Sequence, residues 1–214
     1  NFFYLAESEG PMAGMVSDFQ NKKKERSPGF PFSEWLVAWP KNDTLVLTSK
    51  PSARVEGFSY SYTPATGAFK RLIGSAFGLT VLPSPNLAQV LYSRSGGGGI
   101  ETFIEDVKTN AANRFFVSTL PEKCVWGKEP SQALYCGVPL EIPSGAYPDD
   151  WYQGKTTFSD ALWRIDLEND AVEQLSLPEI DAEEAIDVIH PFLSKNGAFL
   201  FFINKKDSSL WRLK

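Results

Sequence analysis

Three observations predict an all-β chain folded as a β-propeller, in which small four-stranded antiparallel sheets pack radially as blades. Helical periodicity is almost absent along the 214 residues, the single candidate being the short acidic run from Asp181 to Asp187. Short β-branched and aromatic runs alternate with turns rich in Pro, Gly, Asn and Asp. A unit of two apolar runs around a polar turn recurs four times, and blades repeat in this way because one small sheet cannot bury both faces alone.

The four hairpins are EWLVAWPKNDTLVLTSK from Glu34, GLTVLPSPNLAQVLYSR from Gly78, KCVWGKEPSQALYCG from Lys123 and DVIHPFLSKNGAFLFFIN from Asp187. Their second runs align Leu45, Val90, Leu134 and Leu200, spaced by 45, 44 and then 66 residues. The last step is long because it contains an excursion after Cys136.

A third run follows each hairpin: GFSYSYTPATG, ETFIEDVKTN, DALWRIDLEND and DSSLWRLK, with AGMVSDFQNKK as an earlier copy. Three units continue into a fourth run, AFKRLIG, NRFFVSTL and AVEQLSLPE. With NFFYLAES, AGMVSDF and KKERS at the start, the expected order is three, four, four, four and three strands, eighteen in all. The expected organisation is a single propeller region, 1–214: a partial blade over 1–30, blades over 31–75, 76–120 and 121–179 with an insertion at 140–157, and a partial blade over 180–214. Open ends would expose unpaired backbone, so a portion of a larger propeller with upstream blades is expected rather than a closed five-bladed ring. The start at Asn1 inside a strand suits a processed protein or a fragment whose upstream part carries an export signal or membrane anchor.

Composition excludes several classes of function. A formal net charge of -5, with 43% hydrophobic and 14% aromatic residues, fits a compact globular body and opposes a nucleic-acid partner, which needs clustered Lys and Arg. The basic run from Lys22 to Arg26 reads as a solvated turn. No apolar run reaches the roughly 18 residues of a membrane-spanning helix.

The turn Ser84-Pro85-Asn86-Leu87, its counterpart Ser194-Lys195-Asn196-Gly197, and the strand LWRIDLEND resemble the TolB-like and WD-repeat-like bacterial propellers, whose blades place a Ser-Pro-Asp-Gly turn between two apolar strands. Gly-His and Trp-Asp signatures of true WD repeats are missing. The words PFSEW, TSKPSA, EKCVW, YPDDWYQG, FSDALWRID and NKKDSSLWRL are also similar to an uncharacterised family of propeller proteins from candidate-phylum bacteria. That resemblance implies an envelope-associated, extracytoplasmic propeller with an N-terminal anchor, and no known activity or catalytic residue.

Candidate chemistry is sparse. Cys124 and Cys136 lie on successive strands, symmetric about Pro130, so a hairpin in that register brings them opposite one another. A cross-strand disulfide would stabilise by about 3 kcal/mol and indicate an oxidising compartment; the alternative is two separate buried thiols. Two cysteines and one histidine do not make a four-ligand metal site, and no metal or cofactor is expected.

The excursion from Ile142 to Lys155 gathers Tyr147, Asp149, Asp150, Trp151, Tyr152 and Gln153. Aromatic faces beside carboxylates and amides stack on sugar rings or anchor a protein partner. The competing reading is a long loop that folds its aromatics over the blade edge. A glycosidase pair would be Asp150 with Asp160, because neighbouring Asp149 and Asp150 in an extended segment point apart. Gly96 to Gly99 lacks the Lys and Ser or Thr of a phosphate loop. His190 lies in a strand pattern without a nucleophile elbow, and DAEEAID lacks the ligand alternation of a calcium loop.

The leading expectation is a non-catalytic propeller whose loops bind a protein partner or an envelope polysaccharide. The alternatives are the propeller domain of an envelope glycan hydrolase or peptidase, and a structural subunit whose open ends pair with missing blades or neighbouring subunits.

Overall fold

The computed structural model describes residues 2–6, 12–20, 24–30, 34–41, 43–128 and 133–214. The described residues form eighteen strands in five antiparallel sheets. The first sheet holds β1 (Phe2–Ala6), β2 (Met12–Ser17) and β3 (Lys24–Phe30); the second holds β4 (Trp35–Lys41), β5 (Thr44–Ser49), β6 (Glu56–Thr63) and β7 (Ala68–Phe77). β8 (Thr80–Pro83), β9 (Gln89–Gly96), β10 (Gly99–Asp106) and β11 (Ala111–Arg114) form the third. β12 (Cys124–Trp126), β13 (Ala133–Pro139), β14 (Asp160–Asp166) and β15 (Ala171–Ser176) form the fourth, and β16 (Val188–Leu193), β17 (Leu200–Asn204) and β18 (Leu210–Leu213) the fifth. Every sheet pairs its strands in chain order, as a meander does.

The chain divides into two compact units. The smaller comprises Asn1–Lys50 and Gly57–Ser75, with a core of Val16, Trp35, Leu45, Leu47 and Tyr62 against Phe3, Trp39 and Tyr60. The larger comprises Pro51–Glu56 and Ala76–Lys214. Pro51–Glu56 belongs to it because Asp149 accepts hydrogen bonds from Ser52 Oγ at 3.2 Å and Ala53 N at 2.6 Å, and Gly78 N donates to Ser52 O.

The aligned hairpin positions are core positions. Leu45, Val90 and Leu134 are fully buried and Leu200 is 5% exposed. Within the larger unit, one sheet buries its second face against the next: Leu91 packs on Cys124, Trp126, Leu134 and Ile165, while Leu162 packs on Val188, Leu200 and Phe202. Gly137 permits this approach, since a Cβ there would lie 2.6 Å from Val188 Cβ.

The turns repeat as well. Ser84 and Ser194 each donate to an Asn two residues on, at 2.9 and 2.8 Å, and each accepts from a backbone N–H five residues on, at 3.0 Å. The next residue is left-handed in both, Leu87 at φ 56° and Gly197 at φ 72°. Gly97 and Gly98, also at positive φ, close a two-residue hairpin between β9 and β10 rather than a phosphate loop.

Two local expectations are corrected. NRFFVSTL is strand only to Arg114; beyond it Phe115 N bonds Thr102 O, and Thr119 bonds both Thr102 and Gly137 O, so the segment crosses to the next sheet. The helical turn near Asp181 is α2 (Pro178–Asp181), started by the proline, and the acidic residues after it are irregular. Lys22, Lys23 and the turn around Pro130 lie outside the described residues, while Lys24–Arg26 opens β3.

Candidate functional site: a buried ion knot beneath the insertion

The β12–β13 hairpin adopts the register that opposes Cys124 to Cys136, with Cα atoms 4.1 Å apart, and the two are disulfide-bonded. A single 3-10 turn, Pro121–Lys123, precedes β12 and directs Lys123 inward. Its ammonium donates to Asp160 Oδ2 at 2.6 Å, Asp187 Oδ1 at 2.5 Å and Val188 O at 3.2 Å, and all three side chains are fully buried. Three donors meet three acceptors, so the lysine has no free N–H and is not placed as a nucleophile.

The insertion closes over this knot. Its helical turn α1 (Asp149–Tyr152) puts Trp151 inside, where Nε1 donates to both Asp187 oxygens at 3.0 Å. Phe158 N donates to the same carboxylate at 3.1 Å, and Asp187 N donates to Asn204 Oδ1 at 3.0 Å. The Lys123 ammonium lies 5.0 Å from the ring centres of Trp151 and Phe158. A fully buried positive charge is held here by two carboxyl groups and two π faces. Burial holds the Asp160 carboxyl above the ordinary range, and the Lys123 charge opposes that shift.

Around the knot, Tyr147 is buried against Phe158 and Trp151, and its hydroxyl donates to Pro143 O at 2.6 Å. Gly78 lies beneath it, where a Cβ would collide with the Tyr147 carbonyl. Asp150 accepts from Ala146 N at 2.8 Å and lies 3.6 Å from Lys155 Nζ. Tyr152 is 41% exposed; its hydroxyl donates to Glu122, whose carboxyl is raised first by burial. Lys205 Nζ sits 5.2 Å from the Trp151 ring.

The seven expected site residues therefore divide. Tyr147, Trp151 and Asp160 point into the protein, Asp149 and Asp150 are half-buried, the first bonded to the distant Ser52 and Ala53 and the second to Ala146 nearby, and Tyr152 and Gln153 face solvent. Asp149 and Asp150 lie on a helical turn rather than in extended chain, because residues 150, 152 and 153 bond back to 146, 148 and 149. His190 is exposed at a bulge of β16 with φ 52°. Among the described residues no three His, Cys, Asp or Glu side chains are grouped to hold a metal, and no helix is long and apolar enough to cross a membrane.

Beside the insertion lies a cleft of about 390 Å³ lined by Leu140, Glu141, Pro143, Thr157, Ser159 and Glu179. Ser159 Oγ donates to Glu179 at 2.5 Å, and among the described residues neither glutamate has a cationic partner.

No protein-family model and no curated protein matches the sequence. Solved structures do match. TolB from Acinetobacter baumannii aligns over 95% of this chain and 49% of its own, at 15% identity and TM-score 0.57. An uncharacterized protein from Listeria monocytogenes EGD-e aligns over 98% of this chain and 57% of its own, at 14% identity and TM-score 0.59. The chain has the fold of the TolB-like β-propellers. An oligogalacturonate lyase in complex with manganese shares it too, over 94% of this chain and 53% of the lyase, at 9% identity and TM-score 0.62. These identities show the fold alone, and the chain spans about half the length of TolB.

Around this knot, sequence reasoning missed Glu122, Lys123, Asp187 and Asn204. A signal was present for two of them. Lys123 and Asp187 each stand immediately before the first strand of a repeat, opposite in charge at equivalent places.

Proposed function

We propose that this propeller is a non-catalytic module that binds a protein partner through the outer surface of the insertion. The supporting observation is the anchoring of that segment from below. Trp151 and Asp149 each bond to residues outside the insertion, Asp187 and Ser52, so Tyr152, Gln153 and Lys155 are offered on a pre-ordered surface rather than a loose loop. Pre-ordering lowers the entropy lost on binding. The adjoining Glu141 and Glu179 carboxylates suit a basic side chain from the partner. The Cys124–Cys136 bridge supports an extracytoplasmic, envelope setting, because disulfides persist in oxidising compartments.

The test is cross-linking in the native envelope through Lys155, followed by mass spectrometry. Reproducible links to one polypeptide, weakened at least tenfold in a Tyr152→Ala, Glu141→Lys variant of unchanged thermal midpoint, are expected. Links that survive that variant unchanged, or links only within the chain while control sites elsewhere do react, overturn the reading.

A further inference from the structure

Lys123, Asp160 and Asp187 are each fully buried, so their charge states are set by the groups they touch. The Lys123 Nζ donates to Asp160, Asp187 and the Val188 carbonyl. A neutral amine has only two N–H donors, so the third bond requires the ammonium. One ammonium then faces two acids. If both were ionised, the buried knot would hold an uncompensated negative charge, which is costly away from water.

The hydrogen bonds distinguish the two acids. Asp187 accepts from Lys123 and Trp151 Nε1 at Oδ1, and from Trp151 Nε1 and the Phe158 N–H at Oδ2. Each of these groups donates and none accepts, so a proton on Asp187 would point at another hydrogen. Asp160 is different. Its Oδ2 accepts from Lys123 at 2.6 Å and from the Val188 N–H at 2.7 Å, whereas its Oδ1 is buried and, among the described residues, receives no donor. Of the four carboxyl oxygens in the knot, only this one can take a hydrogen without opposing another.

We propose that Asp160 carries a proton on Oδ1 at neutral pH, so that the knot consists of one ammonium, one carboxylate and one carboxylic acid. Its net charge is then zero. Burial favours this state by raising the Asp160 carboxyl; the Lys123 charge opposes the rise and the Asp187 charge adds to it. The surrounding elements leave the balance to these groups. β13 presents Gly137 to the Asp160 carboxyl, Glu122 on the 3-10 turn bonds Tyr152, Glu179 on α2 bonds Ser159, and Lys205 Nζ lies 5.2 Å from the Trp151 ring. Loss of the proton adds a second negative charge to the site that seats Trp151, which couples the anchoring of the insertion to pH.

Infrared spectroscopy of the whole chain at neutral pH tests this. With isotope-labelled aspartate, wild type should show a carboxylic-acid carbonyl band that moves with the label and is missing from Asp160→Asn. Urea unfolding then reads the consequence. Asp160→Asn mimics the neutral acid and should lower the folding constant by less than about tenfold at pH near 4, whereas Asp187→Asn removes the ionised partner and should lower it by at least about a hundredfold. A raised carboxyl contributes stability below its unfolded value of about 3.9 and loses it as pH rises through the folded value. Asp160→Asn should therefore gain on wild type by up to about tenfold in folding constant per pH unit above about 4, until the folded value is passed. No labelled acid band in wild type overturns the proposal. So does an Asp160→Asn protein as damaged as Asp187→Asn, failure to fold included, or one whose difference from wild type is the same at every pH.

Discussion

Lys123 and Asp187 stand at equivalent places in consecutive repeats, 64 residues apart, and meet 2.5 Å apart in the buried interior. Asp160 and Trp151 complete the contact, so one ammonium joins two sheets and the insertion. Removing one partner of a buried ion group leaves the others charged and unpaired. Lys123→Met is expected to destabilise the protein by about 3–5 kcal/mol. Urea unfolding followed by tryptophan fluorescence checks this; an unchanged midpoint would show that the knot contributes nothing to stability.

The disulfide lies one residue from the knot, between Cys124 and Cys136, which close a 12-residue separation. Reduction, or a double replacement by Ser, should cost about 2–4 kcal/mol, chiefly by freeing the unfolded chain. Unfolding curves with and without reductant measure it. Mass analysis after alkylation of the denatured native protein should find both thiols blocked.

Leu87 occupies the left-handed position that Gly197 fills in the sister turn. A Cβ costs about 1–2 kcal/mol in that conformation. Leu87→Gly should therefore raise stability by roughly 1 kcal/mol despite the added freedom of the unfolded chain. Gly197→Leu should lower it by a similar amount. Thermal midpoints of the two variants should move in opposite directions.

Two sets of carboxyls give opposite pH dependence. Hydrogen bonds from the Thr109 backbone N–H and hydroxyl hold Asp106 below the ordinary range, and the Asn169 side chain does the same for Asp166. Their contribution is present above the unfolded value, about 3.9, and is lost as pH falls through the lower folded value. Burial raises Glu122, so its contribution is present below an unfolded value of about 4.3 and is lost as pH rises through the folded one. Thermal midpoints should show Asp106→Asn less sensitive to acid than wild type. Glu122→Gln should gain on wild type as pH rises from about 4 to about 8.

How much of this was legible depends on the range of the interaction. The strand meander was, because alternation and turn residues act over a few positions: Ser84 and Asn86, or Ser194 and Asn196, fold their own turns. The Cys124 register was legible as one of two outcomes, since hairpin symmetry sets which residues oppose. Phe115 to Leu120 misled the sequence reading, because an apolar run carries the same pattern whether it pairs as an edge or crosses between sheets.

By itself, the sequence determined the all-β class, the three, four, four, four, three strand order and the core positions Leu45, Val90, Leu134 and Leu200, because each depends on periods of two residues or on the repeat length. Only the tertiary structure decided that Trp151 and Tyr147 turn inward and that Lys123 is bonded by Asp160 and Asp187. Those outcomes depend on contacts between sheets distant in sequence, and local pattern carries no record of which charge or ring will meet another once the sheets pack.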